Sequence, residues 1–450
     1  IFDNAIDGAH ALTVTAAGAA KFFQVGASSA LTGLDITAAD GIYIRDQLKT
    51  SGAQTYSSHV FLDADTTLLS QNAVITLSDK VDNSSSTARK LTIDAGTAAA
   101  DLSAAVGSTN GAISGLNVNA SAIHIGSSLA IGSGGLTLTS TSANITQSSA
   151  FNIAGAVQID AGLHDITLTN AGNQFLSELT LKGIQVALVN DHATTLGGSQ
   201  IKGDLSIVTN GALTQTAALQ VEGDVTLTQN STVAGSSQDI QLSQANNLLK
   251  KTVTLASGTG AAIHHVSLTN NYAAPGVLTL PAQVTGDLLL SYGNAPLQVG
   301  SWPQIGGNLE LWAPAGIILN GNISSGGSQV FHNNVRLDGN VALTTTNAGI
   351  DFQAKLDNAN TSASNLTLST GTGAINFAQA VGTGANGALG NVVLQGSGVV
   401  HLPVMQMASL STDSGQTVRL NGDLTSADNL SFGGSTWLDD DVNLTAKNIA

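Results

Sequence analysis

Gln54-Thr55-Tyr56-Ser57-Ser58-His59-Val60-Phe61-Leu62-Asp63-Ala64-Asp65-Thr66-Thr67-Leu68 decides the fold, because the chain contains this stretch again. Gln54, Val60, Leu62, Asp63, Leu68, Ile75, Lys80, Asp82, Asn83, Leu91 and Ile93 recur, without insertion or deletion, as Gln329, Val335, Leu337, Asp338, Leu343, Ile350, Lys355, Asp357, Asn358, Leu366 and Leu368. The central part returns once more as Trp437-Leu438-Asp439-Asp440-Asp441-Val442-Asn443-Leu444. A chain that repeats along its length grows by stacking units, so its length does not translate into a number of globular domains.

Around these copies the apolar residues come in short pulses: Leu12 and Val14, Phe22 and Phe23, Leu34 and Ile36, Ile42 and Ile44. The same order returns from Leu91 to Ile125 and from Leu366 to Leu402. Each pulse has the period of two expected of a strand with one buried face, and the Gly, Asn, Asp and Ser turns between pulses leave no room for helices. Between Leu136 and Leu255 a second repeat type occurs twice. There Ile145-Thr146-Gln147, Ile153, Asp165-Ile166, Leu168, Asn173 and Phe175 correspond to Leu213-Thr214-Gln215, Val221, Asp239-Ile240, Leu242, Asn247 and Leu249. Asn173 and Asn247 are expected inside the coil or at its corners, capping turns.

A smaller device runs through both types, namely apolar, any, Gly, Asp or Asn, apolar, any, apolar. It occurs at Ile201 to Ile207, Val221 to Leu227, Val284 to Leu290, Ile305 to Leu311 and Leu337 to Leu343. This reads as a corner at which Gly takes positive φ and the short polar side chain bonds its own backbone. The corners at 201 and 221, and those at 284 and 305, are about 20 residues apart, the circumference of one coil of a parallel β-helix. The expectation is an all-β, parallel β-helix solenoid of about 20 residues per coil. Roughly 22 coils stacked at about 4.8 Å give a rod on the order of 100 Å long. One continuous rod spans 1–450: repeat type one over 1–135, type two over 136–271, irregular coils rich in Pro and aromatics over 272–327, and type one again over 328–450.

Composition narrows the function. The net charge is −16 with only 14 Lys and Arg, scattered along the chain, which disfavours a nucleic-acid partner because phosphate contacts need clustered cations. Cysteine is absent, removing disulfides, thiol catalysis and Cys-based metal sites. No apolar run reaches the roughly 18 residues needed for a membrane span. A Cys-free chain rich in Gly and Thr fits secretion from a bacterium. Ile1-Phe2-Asp3-Asn4 follows the order found inside a repeat, so the chain is expected to be a segment of a longer polypeptide.

Asp165-Ile166-Thr167-Leu168-Thr169-Asn170-Ala171-Gly172-Asn173-Gln174-Phe175, the Ile145-Thr146-Gln147 turn and the Gly203-Asp204-Leu205 corner leading to Leu213-Thr214-Gln215 resemble repeats of filamentous-haemagglutinin-type exoproteins. Gly52-Ala53-Gln54-Thr55-Tyr56, followed by Val60 and Leu62 to Leu68, is similar to another repeat of those adhesins. The resemblance implies a right-handed β-helix, exported through an outer-membrane pore by two-partner secretion and placed on the bacterial surface or in its matrix. It implies service as a shaft or adhesive segment attaching to cells, host-surface glycans or exopolysaccharide. The stalk of a contact-dependent toxin is the alternative, and a β-helix polysaccharide lyase or hydrolase a further one.

The repeat is least regular from 272 to 314, where five of the six prolines lie together with Tyr272, Tyr292, Trp302 and Trp312. These four rings are the candidate ligand-binding surface, for sugar stacking or partner docking; the alternative is that they fill a bulge. Asp439-Asp440-Asp441 reads as a polar turn, because its counterpart Asp338-Gly339-Asn340 keeps only one carboxylate; the alternative is a weak Ca²⁺ site, which needs about six converging oxygens. His264-His265 is the one adjacent histidine pair, and in a strand such neighbours face opposite sides and share no ion. His124 and His401 occupy one repeat position and are expected outside. No catalytic residue, metal site or cofactor is expected, and the chain is read as not an enzyme.

Overall fold

In Gly33–Ala38 the side chains of Leu34, Ile36 and Ala38 point inward while Asp35 and Thr37 face solvent, as the period of two requires. Gly33–Ala38, Ile42–Ile44 and Gln47–Thr50 make three sides of one coil, and Gln54–Tyr56, Val60–Leu62 and Thr66–Ser70 make the next. Every one of these strands pairs in parallel with its counterpart one coil on. Leu34 lies opposite Gln54 and Gln54 opposite Ile75, an advance of about 21 residues per turn. The computed structural model describes residues 1–450, and it is a parallel β-solenoid without an α-helix; one 3₁₀ turn, Gly235–Gln238, breaks the run of strands.

The chain divides into two compact units, Ile1–Gly223 and Asp224–Ala450. The second repeats the plan of the first: Leu309–Trp312, Ile317–Leu319 and Ile323–Ser325 are followed by Gln329–Phe331, Val335–Leu337 and Val341–Thr345, again in parallel pairs.

Inside each unit, equal positions of successive coils stack. Phe331, Phe352 and Phe377 are buried one above another, with ring centroids 4.8 and 5.2 Å apart and planes within 10°. The coil spacing and the stacking distance of aromatic rings coincide, so the ladder of strands imposes a ladder of rings. Buried polar side chains take up backbone groups that the corners leave without a partner. Gln54 Nε2 donates to Leu48 O at 3.0 Å and Leu69 O at 2.8 Å, and its repeat counterpart Gln329 donates to Thr344 O at 3.0 Å. Asn83 Nδ2 donates to Gly111 O and Ala112 O, and Asn358 to Gly387 O and Ala388 O. Each of these two asparagines anchors an excursion that lengthens its coil. Asn173 and Asn247, both fully buried, donate to Leu168 O and Leu242 O, so they cap turns from within.

The corners differ from expectation in two ways. Of Gly203, Gly223, Gly286, Gly307 and Gly339, only Gly339 has a positive φ, at 114°. The others are glycines because coils pack too closely for a side chain: a Cβ on Gly307 would lie 2.8 Å from the Gly286 carbonyl carbon, and one on Gly286 would lie 2.9 Å from His264 O. The side chain that follows the glycine, at Asp224, Asp287, Asn308 and Asn340, bonds the next coil. Asp287 Oδ1 accepts Asn308 N–H at 2.7 Å, and Asn308 Oδ1 accepts Ser328 N–H at 2.9 Å.

One difference between the copies is testable. In the first, Gln54 Oε1 accepts the Tyr56 hydroxyl at 2.7 Å; in the second, Phe331 stands where Tyr56 stood and the buried Gln329 Oε1 has no partner. Phe331→Tyr is expected to raise stability by about 1 kcal/mol by filling that acceptor, seen as a higher urea midpoint in circular dichroism. A lower midpoint would show that the hydroxyl does not reach. In the same assay Phe352→Ala is expected to cost about 3–5 kcal/mol, as for a ring removed from a close-packed interior.

Candidate functional site

The strands Val266–Asn270, Leu288–Tyr292, Leu309–Trp312, Gln329–Phe331 and Ile350–Phe352 lie side by side on one face of the second unit. Leu309 and Leu311 point inward, so Glu310 and Trp312 point out. Trp312 is on a strand, not a loop, and 43% exposed. Its ring stacks on His332, one coil on, at 3.6 Å and 17°. Trp312 Nε1 donates to Glu310 Oε1 at 3.1 Å, and His332 Nε2 lies 2.7 Å from the same oxygen. From there the polar chain continues through Gln353, 2.8 Å from His332 Nδ1, to Asp351, which also accepts Asn376 Nδ2 at 2.7 Å. Beside Glu310 is a cleft of about 270 Å³ lined by His265, Ser267, Asp287, Leu289 and Asn308.

Of the four rings singled out in the sequence, Trp312 alone presents a broad face. Tyr292 is 2% exposed, which contradicts a role as a surface ligand contact; Leu288, Leu290 and Tyr292 share the inward parity of their strand. Burial pushes its phenol pKa up to about 12. Trp302 is half-buried in a separate shallow cleft with Gln304, Asn322 and Thr344, and its Nε1 has no partner. Tyr272 is half-buried, with Lys250 Nζ 5.7 Å from its ring centre. The four therefore do not form one surface.

The histidine pair also departs from expectation. His264 and His265 precede the strand, which begins at Val266, so the alternation of strand side chains does not govern them. Their rings come together, with centroids 3.9 Å apart and tilted by 59°. Asp239, 4% exposed, accepts His265 N–H at 3.1 Å and lies 2.9 Å from His264 Nδ1.

Asp439 is held by Arg419 through two contacts of 2.8 and 2.6 Å, and that guanidinium keeps its carboxyl below the usual carboxylate range. Asp63, its counterpart, pairs with Arg45 at 3.1 Å, so in these two copies the position makes a cross-coil ion pair, while Asp338 in the third accepts Asn360 Nδ2 at 3.1 Å. His124 is exposed beside Asp101. A column in the first unit escaped the sequence reading: Lys21 Nζ sits over Tyr43, Tyr43 stacks on Phe61, and His59 stacks on Phe61 while its Nε2 meets the buried Asp82 at 2.7 Å. Lys21, Tyr43 and Phe61 are register partners, a relation that the spacing of coils would have revealed.

Fold and surface together define a repeat-built parallel β-solenoid. Residues 114–182 and 183–256 match a family described as repeats of unknown function (DUF5649). The two matches cover both copies of the second repeat type, and together less than half of the chain. No curated protein and no solved structure matches it.

The placement of Tyr292 has a direct check. A titration followed by phenolate absorbance is expected to contain a phenol ionising near pH 12 that Tyr292→Phe removes, while the buried Tyr56, also held well above the ordinary phenol range, persists in both proteins. Because the folded state holds this proton more tightly than the unfolded one, the fold loses stability as pH rises above about 10. Ionisation of Tyr292 near pH 10 in the folded chain would place it at the surface.

Proposed function

We propose that this chain is a shaft and adhesive segment of a large secreted bacterial adhesin, exported through an outer-membrane pore and attaching cells to one another, to host glycans or to matrix exopolysaccharide. The observation that carries this reading is the coil-on-coil ladder. Equal positions pair throughout each unit, and corner side chains such as Asp287 and Asn308 accept N–H groups of the following coil. A solenoid built this way supplies length and a repeating surface, and weak contacts along it add through effective concentration. The resemblance of its repeats to filamentous-haemagglutinin-type exoproteins supports the adhesin setting. On the surface, the exposed Trp312 face with Glu310 beside it, and Gln353 reached through His332, has the chemistry that stacks on a sugar ring and bonds its hydroxyls.

The test is binding of the purified chain to a panel of bacterial exopolysaccharides and host glycans, alongside Trp312→Ala and with circular dichroism as the folding control. Saturable binding that falls about tenfold or more in Trp312→Ala, a loss of about 1.4 kcal/mol, is the expected result. Binding equal in both proteins would move the contact away from Trp312. Folded protein that binds nothing would leave a spacer, and release of sugar products would overturn the passive role.

A further inference from the structure

We propose that Asp239, His264 and His265 form a binding site for a divalent transition-metal ion of the zinc and copper class, with Asp287 as a neighbouring fourth group. This site is independent of the adhesin reading. One donor atom from each of the three residues lies within 4.8 Å of the other two. Zinc-type sites hold nitrogen and oxygen donors about 2.0–2.2 Å from the ion, so the three close inward on binding and exchange their present hydrogen bonds for the ion.

The frame for that closure is already built. Asp239 is buried and its carboxylate is fixed by the His265 N–H at 3.1 Å. His264 Nδ1 lies 2.9 Å from the same carboxylate oxygen, and the proton between them is the one that an ion replaces. His265 Nδ1 accepts the Asp287 N–H at 2.7 Å, with Asp287 Oδ2 3.4 Å away, so the lone pair an ion needs is on that nitrogen and binding exchanges the Asp287 N–H for the ion. The other oxygen of Asp287 is occupied by Asn308 N–H, which holds the carboxylate in place. Two imidazoles select a transition ion over Ca²⁺ or Mg²⁺, which prefer oxygen alone, and two carboxylates balance its charge.

Entry is open, because the His264 and His265 side chains are 28% and 36% exposed. His265 and Asp287 also line the cleft of about 270 Å³ that reaches Asn308 and Glu310.

The experiment uses the full 450-residue chain, freed of metal with a chelator and titrated with Zn²⁺ by calorimetry. The expected result is one saturable equivalent whose Kd rises about tenfold or more in His264→Ala and in His265→Ala. Asp239→Asn keeps an oxygen for the His265 N–H, so the corner stays folded while affinity falls. His124→Ala, which removes an outward histidine beside Asp101, leaves the titration unchanged. With Cu²⁺ as probe, electron paramagnetic resonance is expected to show coupling to two imidazole nitrogens. Absence of saturable Zn²⁺ binding, binding undiminished in the double histidine variant, or a Cu²⁺ spectrum with fewer than two nitrogens would overturn the proposal. Circular dichroism of each variant confirms the fold.

Discussion

The hydrogen bond between a backbone group and its equivalent one coil later is the constraint on which the rest depends. Once Leu34 lies opposite Gln54 and Gln54 opposite Ile75, every side chain inherits a vertical neighbour at the same position of the coils above and below. The interior then consists of columns, and the Phe331, Phe352 and Phe377 stack is one of them. The same rule acts outside, where Trp312 meets His332 and Glu310 reaches both. The residue type at one position thus matters chiefly through what stands one coil away.

Much of this was legible in the sequence because it depends on two periods that a single chain displays. Alternation of Leu, Ile and Val gave the strands and their buried faces, and the constant offset from Gln54 to Gln329 gave the repeat. Asn173 and Asn247 were placed correctly because a polar residue at the same point of two apolar patterns needs an internal partner. Tyr292 was readable too: it shares the parity of Leu288 and Leu290, but the local enrichment in aromatics outweighed parity in the reading.

What escaped depends on where one coil's ladder begins relative to the next. His264 and His265 look like strand residues from their own neighbourhood, yet the paired segment starts one residue later, and that boundary is set by Asp287 and its neighbours a coil away. The corner glycines show the same limit. Their spacing was visible, but the reason for glycine, a close approach to the backbone of an adjacent coil, is a contact between residues about 20 positions apart. Trp312 on His332 and Lys21 over Tyr43 are likewise properties of two coils at once.

The close approach at the corners divides the surface by how freely it can diverge. A side chain at Gly307 would press on the carbonyl carbon of Gly286 and spread two coils apart, so drift there is penalised wherever it arises. Outward positions such as Leu289, Glu310, Val330 and Asp351 share one column yet alternate between aliphatic and acidic side chains without disturbing the strands beneath them. Novelty can therefore accumulate on the faces, one coil at a time, after a repeat has been duplicated, while the corners keep the duplicated copies stackable.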